Sequence, residues 1–507
     1  MSEDRRRVLH PPVPGFAHAG ELQRRPRVAV VGGGIAGLTA ATGLAERGVE
    51  VELYERESYL GGRAGGWDTA LGDGTSVTMS RGFHAFFRQY YNLRALLRRT
   101  DPRLRRLKPV ADYPLLDAEG RIDTFRGLPS TPPWNALVFA LRSPTFRLRD
   151  LVRVDPVRAL SLATVSVPET YHQLDDLDAA TFLDQLNFPA SARHLAFEVF
   201  SRSFFASPAE LSAAELVTMF HMYFLGSSEG LIFDVPEDTY PASLWNPLAE
   251  HLEGLGVRIH LGAPVDAVHP EVRGGFRVGD SLVDGVVLAL DVSGLRKVVG
   301  ASPDLGTPGW RERVDGLRTA PAFYVRRLWL DRPLRTDRPS FLGTGSLPPL
   351  DNISLLDRFE AQAAGWARDT GGSVVELHAY AVHERKDDLP RRLLARLHEI
   401  YPETRDARIV GELEQWRQDC PLFGLGDFAR RPTVETPVPG LVLAGDGIRV
   451  DLPVALMERA ATTGWQAANR LLAGWGLRGE PIWSVPNQGR LGFLRAVAAR
   501  RATPARR

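Results

Sequence analysis

Three glycines near the beginning of the chain have the spacing of a phosphate-binding turn. Gly32, Gly34 and Gly37 follow Arg27–Val31, an apolar segment with the pattern of a short buried strand, and they open a helical pattern over residues 37–48. The first glycine permits a tight turn, the second lets backbone approach a pyrophosphate, and the third allows close packing of the helix on the strand. Backbone N–H groups and the helix dipole can then hold phosphate charge.

An acidic residue follows at the distance that dinucleotide binding requires. Residues 49–54 alternate between apolar and polar types, which predicts a second strand, and Glu55 stands at its end, about twenty residues beyond the glycines. A carboxylate there can accept hydrogen bonds from ribose hydroxyls. Strand, turn, helix and carboxylate together predict a dinucleotide-binding β-α-β unit, but they do not separate FAD from NAD.

Two further segments favour FAD. Gly62 and Arg63 close a Gly-Gly-Arg motif shortly after the second strand. The glycines let a loop fold over the pyrophosphate, and the arginine can neutralise it. Near the other end, a short strand runs into Gly445 and Asp446 just before a helical pattern over residues 453–472. This arrangement can place a carboxylate on a ribityl chain and a helix N-terminus beside a reduced flavin ring.

These elements must be brought together from distant parts of the chain. The expected fold class is α/β, with a Rossmann-type FAD-binding domain into which a mixed sheet-and-helix substrate domain is inserted. The predicted FAD-binding domain is discontinuous and comprises residues 27–120, 240–305 and 430–475. The substrate domain comprises residues 121–239 and 306–429, and the flanks are a basic, proline-containing extension over 1–26 and a tail over 476–507.

Composition excludes several classes of protein. The formal net charge is +1 over 507 residues, so no global field favours nucleic acid. The single cysteine, Cys420, excludes an intramolecular disulfide and a cysteine metal cluster, and it fits a reducing cytoplasm. The histidines show no metal-binding spacing, so no metal is expected. The first 26 residues lack the apolar run of a secretory signal.

The same motifs resemble those of a known group of flavoproteins. The glycine fingerprint, Gly-Gly-Arg, LAGD and MERAATTG are similar to the motifs of the amine oxidase and phytoene desaturase group, and the resemblance runs from Arg27 to about Leu472. The chain departs from the group at Arg459, where the group has glycine. The segment GFHAFFRQYYNLR over residues 82–94 resembles the bacterial carotene β-ring desaturase/methyltransferases of the isorenieratene synthase type.

The resemblance implies a set of site residues. It implies non-covalent FAD, with an adenine contact through the backbone at Val265, in the expected strand GAPVDAV, and it places His84 and Arg81 as the catalytic candidates. A histidine near the flavin could orient the substrate ring, take a proton, or only pack or bond to FAD. The implied cofactor-binding residues are Gly32, Gly34, Ala36, Gly37, Glu55, Arg56, Gly62, Arg63, Val265, Gly445, Asp446 and Met457.

The expected reaction follows from the same resemblance. It is an FAD-dependent oxidation of the β-ionone rings of β-carotene to aromatic rings, with one methyl group shifting from the gem-dimethyl carbon to its neighbour. A linear carotenoid desaturase or isomerase of the same group, an amine oxidase and a non-catalytic flavin-binding protein are the alternatives. No strong base is evident in the sequence, and the oligomeric state is open.

The substrate implies a location and a partner. A lipophilic carotenoid must be taken from a bilayer, so the protein is expected in the cytoplasm, peripherally associated with the inner face of the membrane. Residues 142–158, which mix arginine with leucine and valine, and the basic C-terminal tail are the candidate contacts. The phenylalanines over residues 197–224 are expected in the core or along an apolar tunnel. His378 and His383 are expected to be surface or core residues.

Overall fold

A parallel sheet of five strands carries the glycine turn at its centre. The computed structural model describes residues 4–146, 154–189, 193, 195, 204–384 and 386–489. Every pairing in this sheet is parallel, as expected when crossovers place helices on its faces. The strand order across the sheet is Arg258–His260, Glu50–Tyr54, Arg27–Val31, Gly285–Leu288 and Leu441–Leu443.

Two helices pack face to face beside this sheet. Helix Ile35–Ala45 is buried on all sides, and it lies against Leu456–Gly474 near the other end of the chain. Small residues let the two backbones approach, since a Cβ on Gly464 would lie 2.4 Å from the carbonyl oxygen of Ala36. This contact brings the N-termini of both helices to the carboxyl edge of the sheet, where ligands bind in such folds.

A second sheet of seven strands forms the other half of the molecule. The long strands Ala322–Leu330 and Ser373–Val382 pair antiparallel at its centre, and Arg327 lies directly opposite Glu376. Both strands are buried along most of their length. The order is Ile409–Arg417, Ala322–Leu330, Ser373–Val382, Asn352–Leu355, Phe341–Thr344, Leu115–Leu116 and Ile122–Asp123.

Smaller sheets and helices complete the described structure. The small sheets are Phe86–Phe87 with Phe233–Pro236 and Leu107–Pro109, Val268–Pro270 with Phe276–Val278 and Ser281–Val283, Gly66–Ala70 with Ser76–Ser80, and Val8–His10 with Ile482–Ser484. The remaining α-helices are Tyr91–Leu97, Trp134–Arg142, Pro156–Ala163, Glu169–Leu174, Ala179–Gln185, Ala213–Phe220, Asn246–Gly254, Val292–Gly300, Pro308–Asp315, Ala361–Thr370, Leu389–Ile400 and Asp427–Arg430. Every helix in the described ranges is too short or too polar to cross a bilayer.

Several elements differ from the sequence-based expectation. Residues 81–99 have a helical pattern, but only Tyr91–Leu97 is helical, because Phe86–Phe87 pairs with the distant strand Phe233–Pro236. Part of the predicted extension also pairs with part of the predicted tail, as Val8–His10 and Ile482–Ser484 form an antiparallel ladder. The α/β fold class is confirmed, while the domain boundaries stay a prediction.

Candidate functional site

One cavity joins the carboxyl edge of the five-stranded sheet to an aromatic region beside the seven-stranded sheet. The volume of this cavity is about 360 Å³. At one end lie the glycine turn and Glu55, and at the other lie aromatic rings and His378. With the exception of Gly37, all of the predicted cofactor-binding residues line this cavity, as do His84 and Arg81. That they bind FAD in these roles stays a prediction.

The three glycines differ in what a side chain at each position would meet. Gly32 has a φ of +108°, and a Cβ there would lie 2.3 Å from the carbonyl oxygen of Ala289. A Cβ on Gly37 would lie only 1.8 Å from the carbonyl oxygen of Gly32. Gly37 therefore packs against the backbone of the turn and does not face the cavity. Gly34 differs from both, because its nearest neighbour is the Cα of Gly62, at 3.9 Å. The space beside Gly34 is therefore free for a ligand.

Glu55 holds the glycine turn in place. Its Oε2 accepts the backbone N–H of Gly33 at 2.7 Å, and its Oε1 accepts that of Glu57 at 2.9 Å. Burial raises the pKa of Glu55, and the two N–H donors oppose this shift. Each carboxylate oxygen keeps a lone pair for a further donor such as a ribose hydroxyl.

Each of the four arginine and lysine residues that line the cavity is paired with a carboxylate. Arg63, in the loop that covers the glycine turn, forms an ion pair with Asp446. The other three pairs are Arg81 with Asp419, Arg56 with Asp291 at 3.0 Å, and Lys297 with Asp266 at 2.8 Å. Arg63 is the predicted pyrophosphate ligand, so its partner Asp446 must share it with a bound phosphate. Arg81 is buried, and its charge is largely neutralised inside the protein.

The helix that begins at Leu456 anchors the neighbouring aromatic segment. Met457 lines the cavity, and the next residue, Glu458, is buried. Its carboxylate accepts the backbone N–H groups of Asn92 and Leu93 at 2.8 and 3.0 Å, which caps helix Tyr91–Leu97. This contact fixes the end of the segment that carries His84.

The second end of the cavity is lined by aromatic rings in two groups. Phe83, Phe87 and Tyr113 form one group, in which the Phe83 and Tyr113 ring centroids are 6.4 Å apart. Phe205 forms the other group with Phe323 and Tyr380, each at a centroid distance of 5.1 Å. Of the phenylalanines predicted over residues 197–224, Phe205 therefore lines the cavity, whereas Phe224 packs in a core. Residues 197–203 lie outside the described residues.

His84 faces the cavity as a neutral imidazole. Desolvation, with a contribution from the positive charge of Arg63, lowers the pKa of His84 to about 4. Its Nδ1 lies 2.9 Å from the carbonyl oxygen of Gly82, which can only accept a hydrogen bond. Nδ1 therefore carries the proton, and Nε2 is left as a proton acceptor. Tyr240 donates to the same carbonyl at 3.0 Å.

Sequence reasoning missed a set of polar residues on strand Ser373–Val382. His378 lines the cavity, with Glu376 behind it and Tyr380 beside it, so the expectation of a plain surface or core histidine was incomplete. A signal was present, because residues at i, i+2 and i+4 of a strand share one face. His383, by contrast, has a largely exposed side chain.

One further expectation is corrected by the structure. Val265 lines the cavity, but it lies in an irregular segment between strands Arg258–His260 and Val268–Pro270, so the predicted strand position was wrong. An irregular backbone keeps N–H and C=O groups free of a ladder, which suits a backbone contact to adenine. Cys420 also lines the cavity, and burial raises the pKa of its thiol to about 12.

The residues of this cavity fit FAD. Gly34 leaves a cradle that any side chain would fill, the helix N-terminus at Ile35 faces it, and Arg63 stands across it. The carboxylates of Glu55 and Asp446 line the same cavity and can accept hydrogen bonds from sugar hydroxyls. Among the described residues, no group of three His, Cys, Asp or Glu side chains is placed to hold a metal ion.

Known proteins resemble the chain in sequence and fold. It is similar to a carotenoid phi-ring synthase from Streptomyces griseus, with 57% identity over 94% of this chain and 93% of that one. A zeta-carotene desaturase from Synechocystis is 25% identical over 88% and 97% of the two chains. A redesigned triple mutant of putrescine oxidase shares the fold, with a TM-score of 0.66 and 17% identity over 89% and 99%.

The family follows from these comparisons. Residues 35–472 match the model of the flavin containing amine oxidoreductases, and the predicted resemblance to the carotene β-ring desaturase/methyltransferases is confirmed by the Streptomyces relative. FAD is the cofactor of this family fold, as the sequence predicted. The chain belongs to the family of flavin-containing amine oxidoreductases and is an FAD-dependent oxidoreductase.

Proposed function

We propose that this enzyme oxidises the β-ionone rings of a carotenoid such as β-carotene to aromatic rings, with one methyl group moving to the neighbouring ring carbon. The observation that carries the proposal is the cavity itself, which runs from a nucleotide cradle into an aromatic chamber. The 57% identity to a protein named carotenoid phi-ring synthase supports the same substrate class.

The chemistry divides between cofactor and protein. FAD, when bound, supplies the acceptor for the hydride that leaves the ring. The protein must bind the ring, stabilise the positive charge that develops on it, exclude water and remove protons. Each ring loses four hydrogen atoms and keeps every carbon, so two oxidations and two proton losses are needed.

The aromatic chamber suits a developing cation. The faces of aromatic rings attract positive charge, and Phe83, Tyr113, Phe205 and Phe323 present such rings to the cavity. Arg63 and Arg81, which line the same cavity, would repel a cation if they were free, but each is paired with an aspartate. The methyl shift also needs a cavity that excludes water, because water would otherwise trap the cation before the methyl group moves.

Alternatives remain distinct in their products. The similarity to the zeta-carotene desaturase supports a linear desaturase. Such an enzyme would add double bonds to the polyene chain and leave the rings unchanged. An amine oxidase would release peroxide from an amine, but the similarity to putrescine oxidase supports only the fold.

The test is incubation of FAD-loaded protein with β-carotene in liposomes, followed by mass spectrometry of the products. The expected product has lost four hydrogens per converted ring with its carbon count unchanged. Zeta-carotene and putrescine serve as parallel substrates. Conversion of zeta-carotene alone, or peroxide from putrescine alone, would contradict the proposal.

A further inference from the structure

His84 lies where the two ends of the cavity meet. Besides desolvation, which is the main cause, the charge of Arg63 at the nucleotide end lowers the pKa of its imidazole, and His378 at the aromatic end acts in the same direction. The backbone beside His84 packs closely on His378, since a Cβ on Gly82 would lie 2.6 Å from Cε1 of that ring. The reacting ring of a substrate must come near this junction, because hydride transfer requires contact between that ring and a flavin.

The two ring nitrogens of His84 have different surroundings. Nδ1 lies 2.9 Å from the carbonyl oxygen of Gly82 and 3.4 Å from the hydroxyl of Tyr240, which donates to the same carbonyl at 3.0 Å. A carbonyl oxygen can only accept, so Nδ1 carries the ring proton. In the part of the chain that the structure describes, no hydrogen bond reaches Nε2, and this nitrogen is not enclosed by protein atoms. Nε2 therefore presents a lone pair to the cavity that His84 lines.

The second imidazole of the cavity is arranged differently. Nδ1 of His378 lies 3.0 Å from the hydroxyl of Tyr380, and its Nε2 is buried, 3.0 Å from a carboxylate oxygen of Glu376. Both nitrogens of His378 thus face protein groups, whichever of them carries the proton. Only His84 turns a ring nitrogen towards the space that a substrate would occupy.

The other titratable groups near the aromatic end are poorer proton acceptors. Burial raises the pKa of the Cys420 thiol to about 12, so this group stays protonated. Burial also raises the pKa of the Tyr90 hydroxyl, which is in contact with the hydroxyl of Tyr223 at 2.8 Å. Oδ2 of Asp351 accepts the backbone N–H of Tyr380. Asp351 is the one anion of this end that could compete with His84 among the described residues, so it enters the test below.

We propose that Nε2 of His84 takes the protons that the substrate ring loses, while the carbonyl of Gly82 holds the proton on Nδ1 and so keeps Nε2 free. The electrons of each broken C–H bond stay on carbon and form the new C=C bond. The proton bonds to Nε2, and the positive charge passes from the substrate ring to the imidazole. The oxidant is the FAD of the established activity. This inference rests on the proposed function and names the base that it requires.

A weakly basic imidazole suits this reaction. Desolvation, with Arg63 and His378, lowers the pKa of His84 to about 4 against the opposing charge of Glu376, so the ring is neutral when substrate arrives. A proton on carbon beside a carbocation is far more acidic than an imidazolium, so a weak base is sufficient. A low pKa also lets His84 return each proton to water at neutral pH and accept the next one.

Two substitutions separate a base from the other roles of a histidine. His84→Gln keeps a hydrogen-bonding side chain, and His84→Phe keeps a ring that fills the space. Both should retain FAD and lower the maximum rate of aromatic product formation by about a hundredfold or more, a typical loss for general-base catalysis. His383→Gln changes a largely exposed histidine and is the matched control, which should have the wild-type rate.

A second measurement does not depend on turnover. ¹⁵N-histidine NMR of the FAD-loaded protein at pH 7 should show an imidazole that is protonated on Nδ1 alone, and this signal should be absent in His84→Gln. The measurement is made on the wild-type fold, so it stands even if a variant is unstable. A His84 ring protonated on Nε2 would overturn the proposal.

The outcomes separate this inference from the proposed function. If the wild type forms no aromatic product, the proposed function fails and the assignment of a base falls with it. If the wild type forms the product, a wild-type rate in His84→Gln would reduce the histidine to a hydrogen-bonding role, and a wild-type rate in His84→Phe would reduce it to packing. A larger loss in Asp351→Asn or His378→Gln than in His84→Gln would place the base elsewhere in the cavity. Each of these results overturns the role of His84 and leaves the proposed function standing.

Discussion

Nη2 of Arg459 donates to both carboxylate oxygens of Glu215, at 3.2 and 3.0 Å, inside the protein. Arg459 is the residue at which the MERAATTG segment departs from the motif that it otherwise resembles, and this arginine has a buried partner. A second guanidinium, that of Arg431, lies 3.0 Å from the same carboxylate, and both arginines lie over the ring of Phe423. One buried anion therefore serves two buried cations.

Removal of this anion should be costly. Glu215→Ala leaves two guanidinium groups buried without their partner, so we expect the free energy of unfolding to fall by about 3–5 kcal/mol. Urea denaturation followed by circular dichroism measures this change. Asp337→Ala, which breaks an exposed pair with Arg335, is the control and should lower the free energy of unfolding far less, because solvent screens that pair. Equal losses in the two variants would show that the buried cluster contributes no more than a surface pair.

Gly34→Val should weaken FAD binding and leave the fold intact. The valine side chain would enter the space beside Gly62 that the phosphates need, while no protein atom lies within 3.4 Å of the new Cβ. We expect the affinity for FAD to fall at least tenfold, which corresponds to about 1.4 kcal/mol. Isothermal titration of the apoprotein with FAD measures it. Gly72→Val is the control, because a Cβ at Gly72 meets nothing within 4 Å. Unchanged affinity in Gly34→Val would place the pyrophosphate elsewhere.

His84 should make stability depend on pH in a defined direction. Its pKa is about 4 in the folded protein against 6.5 ordinarily, so the unfolded chain binds a proton in this range and the folded protein does not. The contribution of His84 is therefore fully present above pH 6.5 and is lost as the pH falls towards 4. Denaturation at several pH values should show a smaller slope in His84→Gln than in the wild type. Identical slopes would mean that His84 is not held neutral.

The sequence predicted the nucleotide-binding half in more detail than the aromatic chamber. Strand Arg27–Val31 has the predicted bounds, because strand, turn and helix are local patterns. Residues 81–90 were predicted as helix, yet the Phe86–Phe87 strand depends on a partner some 146 residues away. The opposition of Arg327 and Glu376 depends in the same way on sheet register. Local periodicity does not encode either pairing, so the chamber could only be found in three dimensions.

Helix Trp134–Arg142 gives the predicted membrane contact a specific location. Parts of the two predicted contacts lie outside the described residues, namely residues 147–153 and 490–507. Helix Trp134–Arg142 precedes the first of them, and Trp134, Leu137 and Leu141 are 58%, 46% and 55% exposed on one face. We expect co-sedimentation with anionic liposomes that weakens with salt and is reduced by the double change Leu137→Ser and Leu141→Ser.

The control for membrane contact is a second pair of exposed leucines. Leu255→Ser with Leu282→Ser removes side chains that are 40% and 50% exposed elsewhere on the surface, and liposome binding should not change. Binding that is equally reduced in both double variants would deny a specific role to helix Trp134–Arg142. No sedimentation of the wild type with lipid would contradict peripheral association altogether.

The position of the migrating methyl group tests the central claim most directly. β-Carotene labelled with ¹³C in its gem-dimethyl groups is converted by the FAD-loaded protein in liposomes, and the product is examined by ¹³C NMR. The proposed reaction predicts two labelled methyl groups on adjacent aromatic carbons of each converted ring. A product in which both labelled methyl groups remain on one saturated carbon would contradict the ring-aromatising function and leave a simple desaturase.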